Sequence, residues 1–236
     1  MNIDCRMVFM WAFLALSLYL GTGCAPGEEA SRPNDSTDSE EAAEVDARLL
    51  VPSLHRDRAP ERLDLLVRTS KGDISLEVIR EWAPKGVDRF FNLVRLGFFD
   101  ESPFYRVNGT VAQFAYNGNP EVDMVWKDAF IPDDPGVPEI KNLRGYLTFA
   151  QDGPGKRCTQ LFFNLKDNTF LDEQGFPPIG RITSGMEVLD SLYEGYGEGR
   201  PEGEGPLYKL IYTQGNEYLK RDFPRLDYIL GIEILD

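Results

Sequence analysis

The chain has 236 residues, a formal net charge of −14, one histidine and three cysteines. That length allows one ordinary domain plus a tail, and the acidity argues against nucleic-acid partners, whose phosphates it would repel. A lone His55 and scattered cysteines argue against a histidine relay, a His-ligated metal site and a disulfide framework, so neither metal nor cofactor is expected.

Met7 to Leu20 is an apolar run followed by Gly21-Thr-Gly-Cys24. It is shorter than the roughly 20 residues of a membrane-spanning helix and fits the apolar region of a secretory signal. Small residues leading to a cysteine resemble a bacterial lipoprotein signal over residues 1–23, with Cys24 lipidated. Plain secretion and an uncleaved anchor are the alternatives. Residues 24–60 read as an acidic disordered linker, too poor in apolar side chains to offset its ordering entropy. Within it, Asp46 to Leu54 is more apolar and is a candidate to dock on the domain.

The domain is expected over residues 61–236. Leu63 to Thr69 and Asp73 to Ile79 alternate around Ser70-Lys-Gly72 and read as a hairpin. Pro84 suits a first helical turn, and Val87, Phe90, Phe91 and Val94 make the apolar stripe of a helix that stops at Gly97. Phe104 to Phe114 reads as two short strands around Asn108-Gly109, a strong hairpin signal. Arg106 and Gln113 are its two polar interruptions. Residues 116–142 are read as an irregular surface loop. Strands are expected at Gly145 to Ala150, Thr159 to Asn164, Ile179 to Thr183 and Leu226 to Leu235. Ser184 is placed as the cap of a helix through Met186, residues 195–205 as a Gly/Glu-rich loop, and Gly215 to Pro224 as a short helix. The fold class is mainly β: a closed eight-stranded antiparallel barrel capped by two helices.

From Leu63 to Asp236 the order of motifs resembles the cyclophilin family of peptidyl-prolyl cis-trans isomerases. The resemblance rests on Ala83-Pro84 with its aromatic helix, Gly97-Phe-Phe-Asp100, Phe104-Tyr-Arg106, Gln113, Gly145-Tyr-Leu-Thr-Phe-Ala150, Thr159-Gln-Leu-Phe162, Leu171-Asp172, Ile179-Gly-Arg-Ile182 and Gly185-Met-Glu-Val-Leu189. It implies that Arg106 is the catalytic arginine and Gln113 the glutamine that holds it and the substrate. Phe149, Ala150 and Gln151 match a strand edge that pairs with substrate backbone. Gln160, Phe162 and Leu171 match the proline pocket, and Tyr105, Val111 and Phe176 fall at further substrate-facing positions. The sequence departs from the family at Tyr105 and Phe176, where histidines are usual, and at Gln151, where asparagine is. Thr110 replaces an aromatic residue, Val111 a methionine and Phe170 a tryptophan. The pocket is therefore expected to be repacked.

The implied activity is isomerisation of X-Pro bonds in exported proteins, assisting their folding, without a covalent intermediate. A catalytically weak module that binds proline-containing segments is the alternative. The expected partners are proline-containing polypeptides. The expected state is a monomer in the cell envelope or periplasm, held to a membrane only through a lipid at Cys24.

Overall fold

The structure, a computed structural model, describes residues 45–235. The signal-like run and Cys24 lie outside the described residues. The strands are β1 (Arg62–Thr69), β2 (Gly72–Ile79), β3 (Ser102–Pro103), β4 (Arg106–Val107), β5 (Val111–Phe114), β6 (Tyr146–Phe149), β7 (Leu161–Asn164), β8 (Pro178–Ser184) and β9 (Tyr228–Leu235). The helices are α1 (Pro84–Arg95), α2 (Pro120–Trp126), α3 (Met186–Asp190) and α4 (Tyr208–Asp222).

The nine strands form one antiparallel sheet in the order β3-β9-β1-β2-β8-β6-β7-β5-β4. Its two end strands, β3 and β4, are separated in the chain only by Phe104 and Tyr105, so the sheet must curl until its ends meet. The mainly-β architecture agrees with the sequence reading, but among the described residues the strand count is nine rather than eight. One extended segment changes partner between Pro103 and Arg106, pairing first with β9 and then with β5. Pro103, which has no N–H to donate, sits where the first pairing ends.

Alternation dictates the interior. β1 buries Leu63, Leu65 and Val67, and β2 buries Ile74, Leu76 and Val78, as expected for strands with one face on a core. Helix α1 adds Val87, Phe90 and Leu93 to that core. An aromatic chain runs through it, with Phe104–Phe114 centroids 5.6 Å apart and Phe114–Phe163 centroids 5.4 Å apart.

Four assignments change, the first being the cap of α3, which is Gly185 with no side-chain hydrogen bond rather than Ser184, the last residue of β8. The loop expected over residues 116–142 contains α2, whose N-terminus is capped by the Asn119 side chain at 2.9 Å from Glu121 N. Asn followed by Pro is a cap followed by a preferred first helical residue. Helix α4 begins at Tyr208 rather than Gly215 and is broken at Gly215 (φ 56°, ψ −142°). That residue passes so close to the Gly118 carbonyl that a Cβ would collide with it. Finally, the compact unit starts at Val45, not at residue 61. Residues 47–50 and 52–54 are short 3-10 turns. Leu49 is buried, its carbonyl accepts the Trp126 Nε1–H at 2.7 Å, and His55 stacks on the Trp126 ring.

Candidate functional site

The hairpin β4–β5 lies at one end of the sheet with Arg106 opposite Gln113. Gln113 is in turn opposite Phe162 on β7, and Phe162 is opposite Thr148 on β6. Directly opposed residues share a face of a sheet, so Arg106, Gln113 and Phe162 form one row. The next row, Val107, Ala112, Phe163 and Leu147, is in the core. The site is thus built on the outer face of the curled sheet, back to back with the aromatic interior.

Arg106 Nη1 donates to Gln113 Oε1 at 2.9 Å. Its Nε and Nη2 donate to the two carboxylate oxygens of Glu198, at 2.5 and 2.9 Å. Burial opposes the Arg106 charge, but the Glu198 hydrogen bonds outweigh it and hold the guanidinium above its ordinary pKa. Burial likewise opposes the charge of Glu198. The bonds from Arg106 and Asn108 prevail, and its carboxyl titrates below the usual glutamate value. Neither Glu198 nor Asn108 was identified from sequence. Residues 195–205 contain several glutamates, and nothing local distinguishes the one that meets Arg106.

The apolar wall comes from β7 and one loop. Phe162 and Phe176 have ring centroids 6.4 Å apart. The 3-10 turn Thr169–Gln174 brings Leu171 to the same place, since its carbonyl accepts the Phe176 N–H at 3.3 Å. Gln151 joins them by donating Nε2–H to the Gly175 carbonyl at 3.0 Å, and its Oε1 is buried without a partner. Val111 shares the Gln113 face of β5, two residues away, and is nearly buried.

Tyr105 fails its substrate-facing expectation on side-chain direction, and the strand edge at Phe149 and Ala150 is only partly open. Tyr105 is 2% exposed and packs under α4 against Tyr116 and Tyr208. Its hydroxyl donates to Gln160 Oε1 at 2.5 Å, and burial raises its pKa well above the phenol value. Phe149 is opposite Leu161, which is opposite Phe114, so it belongs to an inward row and is 1% exposed. The β6 edge can meet a ligand only through backbone. Even there the Ala150 N–H is already given to the Gln160 carbonyl at 2.9 Å. Gln160 itself is committed, bonding Tyr105 and, through Nε2, the Ala115 carbonyl at 3.0 Å.

The family model described as cyclophilin-type peptidyl-prolyl cis-trans isomerase/CLD matches residues 64–210. Peptidyl-prolyl cis-trans isomerase A of Dickeya dadantii is 30% identical over 164 residues, covering 66% of this chain and 85% of that protein. A peptidyl-prolyl cis-trans isomerase of Rhizopus delemar is 30% identical over 131 residues, covering 54% of this chain but only 20% of that longer protein. Among solved structures, a Cryptosporidium parvum cyclophilin-type isomerase crystallised in the presence of the dipeptide Ala-Pro superimposes with a TM-score of 0.54 at 19% identity. The match covers 73% of this chain and 99% of that one.

Proposed function

The chain belongs to the cyclophilin-type peptidyl-prolyl cis-trans isomerase family, and on that premise we propose that the Arg106 row accelerates rotation about X-Pro bonds. The observation that carries this reading is the contiguity of a fixed cationic donor, Arg106, with the apolar pair Phe162 and Phe176. An X-Pro amide resists rotation because of its resonance, with a barrier of about 18–20 kcal/mol. Twisting breaks the resonance and leaves a lone pair on the prolyl nitrogen. An N–H of Arg106 bonds that lone pair only in the twisted state, so the interaction lowers the barrier rather than merely binding the ground state. The proline ring rests against Phe162, Phe176 and Leu171, and Gln113 keeps the guanidinium aimed. No proton is transferred and no covalent bond is made.

One charge-assisted hydrogen bond contributes about 1.5–3 kcal/mol, or roughly one to two decades in rate. Any further acceleration comes from immobilising the peptide against the apolar wall. The test is cis-trans exchange of a short Ala-Pro peptide with wild-type protein and with Arg106→Ala. Acceleration by wild type and its loss in the variant are expected. Equal acceleration by both would remove Arg106 from the mechanism.

A second reading is a proline-binding module of low rate. It is favoured by Phe162 being only 5% exposed beside Phe176, which leaves little open depth for a proline ring. Saturable peptide binding without acceleration would establish it. The cellular setting we propose is the folding of exported proteins, with the domain tethered by a lipid on Cys24. The apolar run and its Gly-Thr-Gly-Cys24 ending support this. Cys24→Ser is expected to release the protein from membranes, and retention of that variant would defeat the tether.

A further inference from the structure

Residues 195–205 do more than cover the β4 edge. Gly197 makes an antiparallel bridge to Val107, the residue after Arg106, and Gly199 bridges Gly205. The loop then closes on itself, because the Glu198 carbonyl accepts the Gly205 N–H at 2.7 Å. A Cβ on Gly205 would lie 2.6 Å from that carbonyl oxygen, so the turn needs glycine there. The backbone of Glu198 is thus fixed on both sides, and its side chain points at Arg106. Asn108 completes the arrangement. Its Nδ2 donates to Glu198 Oε1, while its Oδ1 accepts Thr110 N and Val111 N at 3.1 and 2.9 Å. One side chain therefore ties the β4–β5 turn to the carboxylate.

We infer that Glu198 is a positioning residue for Arg106: its carboxylate grips the Nε/Nη2 edge of the guanidinium and so fixes which N–H groups meet the prolyl nitrogen. A guanidinium has five N–H groups in one plane. Glu198 takes one from Nε and one from Nη2, and Gln113 takes one from Nη1. With two adjacent edges held, the plane has no freedom to rotate about its long side chain. The N–H groups of Nη1 and Nη2 not committed to Glu198 or Gln113 are the ones left to meet the substrate. Bidentate pairing of arginine with a carboxylate sets direction as well as attraction. A donor already aimed at the twisted amide costs no reorganisation when the barrier is crossed.

This inference rests on Arg106 acting as proposed above, and the experiment separates the two. Exchange of the Ala-Pro peptide is measured with wild type, Glu198→Gln, Glu198→Ala and Arg106→Ala, at peptide concentrations that resolve kcat from KM. The side-chain Nε–H resonance of Arg106 is recorded for wild type and the Glu198 variants. Glu198→Gln keeps shape and removes the charge. It is expected to lower kcat by about tenfold or more, as misplacement of a catalytic group does, with KM within about twofold and the unfolding midpoint retained. The Nε–H signal is expected to shift and to exchange faster with water. Glu198→Ala is expected to behave alike; if it does not fold, Glu198→Gln decides alone. Wild-type or higher kcat in Glu198→Gln while Arg106→Ala is impaired would overturn the inference and mark Glu198 as inert or as a brake. Full activity in Arg106→Ala would instead overturn the role of Arg106 itself. A fall in kcat without any change at Nε–H would also overturn the positioning role.

Discussion

Gln113 is both the cross-strand partner of Arg106 and the acceptor of its Nη1–H at 2.9 Å. Strand register therefore delivers the acceptor, and the donor needs only a staggered side chain to reach it. Gln113→Ala removes a charge-assisted bond that contributes about 1.5–3 kcal/mol. If that orientation matters in the twisted state, kcat/KM for an Ala-Pro peptide falls by about ten- to a hundredfold. An unchanged value would assign Gln113 to packing of the hairpin.

Asp134 supports the fold at the start of helix α1. Helix α1 follows Ala83, which has no side chain able to cap it. Asp134 takes that role, accepting Lys85 N at 3.0 Å and Gly86 N at 2.9 Å. It also pairs with Arg157 at 2.9 Å, both side chains being almost fully buried. Asp134→Ala leaves the buried Arg157 with only the longer pairing to Asp133 at 3.8 Å and the Pro132 carbonyl at 2.6 Å, a loss of up to about 3–5 kcal/mol. Chemical denaturation checks it: a shift of less than about 1 kcal/mol would mean that Asp133 or water takes over the pairing with Arg157.

The segment before β1 is structural. Leu49 is 8% exposed and belongs to the main core. Leu49→Ala should cost about 2 kcal/mol or more, the lower end for leucine truncation in a core. Isomerase activity per folded molecule should not change. A null effect on the denaturation midpoint would show that the segment docks without contributing to stability.

Asp123 supplies a pH signature. It is 3% exposed and accepts the N–H groups of Asn117 and Gly118 at 2.8 and 3.0 Å. Burial raises its pKa to about 7 from the ordinary 3.8, even though both N–H bonds act the other way. Between those values the folded state holds a proton that the unfolded state has released. Stability attributable to this group is therefore highest below about pH 4 and declines as pH rises towards 7, by about 1.4 kcal/mol per unit inside that window. Asp123→Asn removes the slope. Melting temperatures of both proteins at pH 5 and pH 8 should show wild type losing ground to the variant as pH rises. The reverse trend would mean that the N–H bonds, not burial, govern the carboxyl.

The sequence by itself determined the long strands, helix α1 and the polar pair in the hairpin. Each is written in residues a few positions apart: alternation in β1 and β2, the 3.6-residue stripe from Val87 to Val94, and Asn108-Gly109 between Arg106 and Gln113. Local periodicity encodes which face is apolar, and motif order supplied the family. Tertiary structure alone decided which face met the core. Phe162 and Phe163 are adjacent and chemically identical, and only the register of β7 against β5 turns one towards the groove and the other inward. The same register sends Phe149 into the interior, and packing under α4 withdraws Tyr105. The contact between Arg106 and Glu198, 92 residues apart in the chain, depends on the path of a loop closed by its own backbone bonds. Those bonds set the loop's shape, but the bridge from Gly197 to Val107 brings it to Arg106, and no short window of sequence contains that contact.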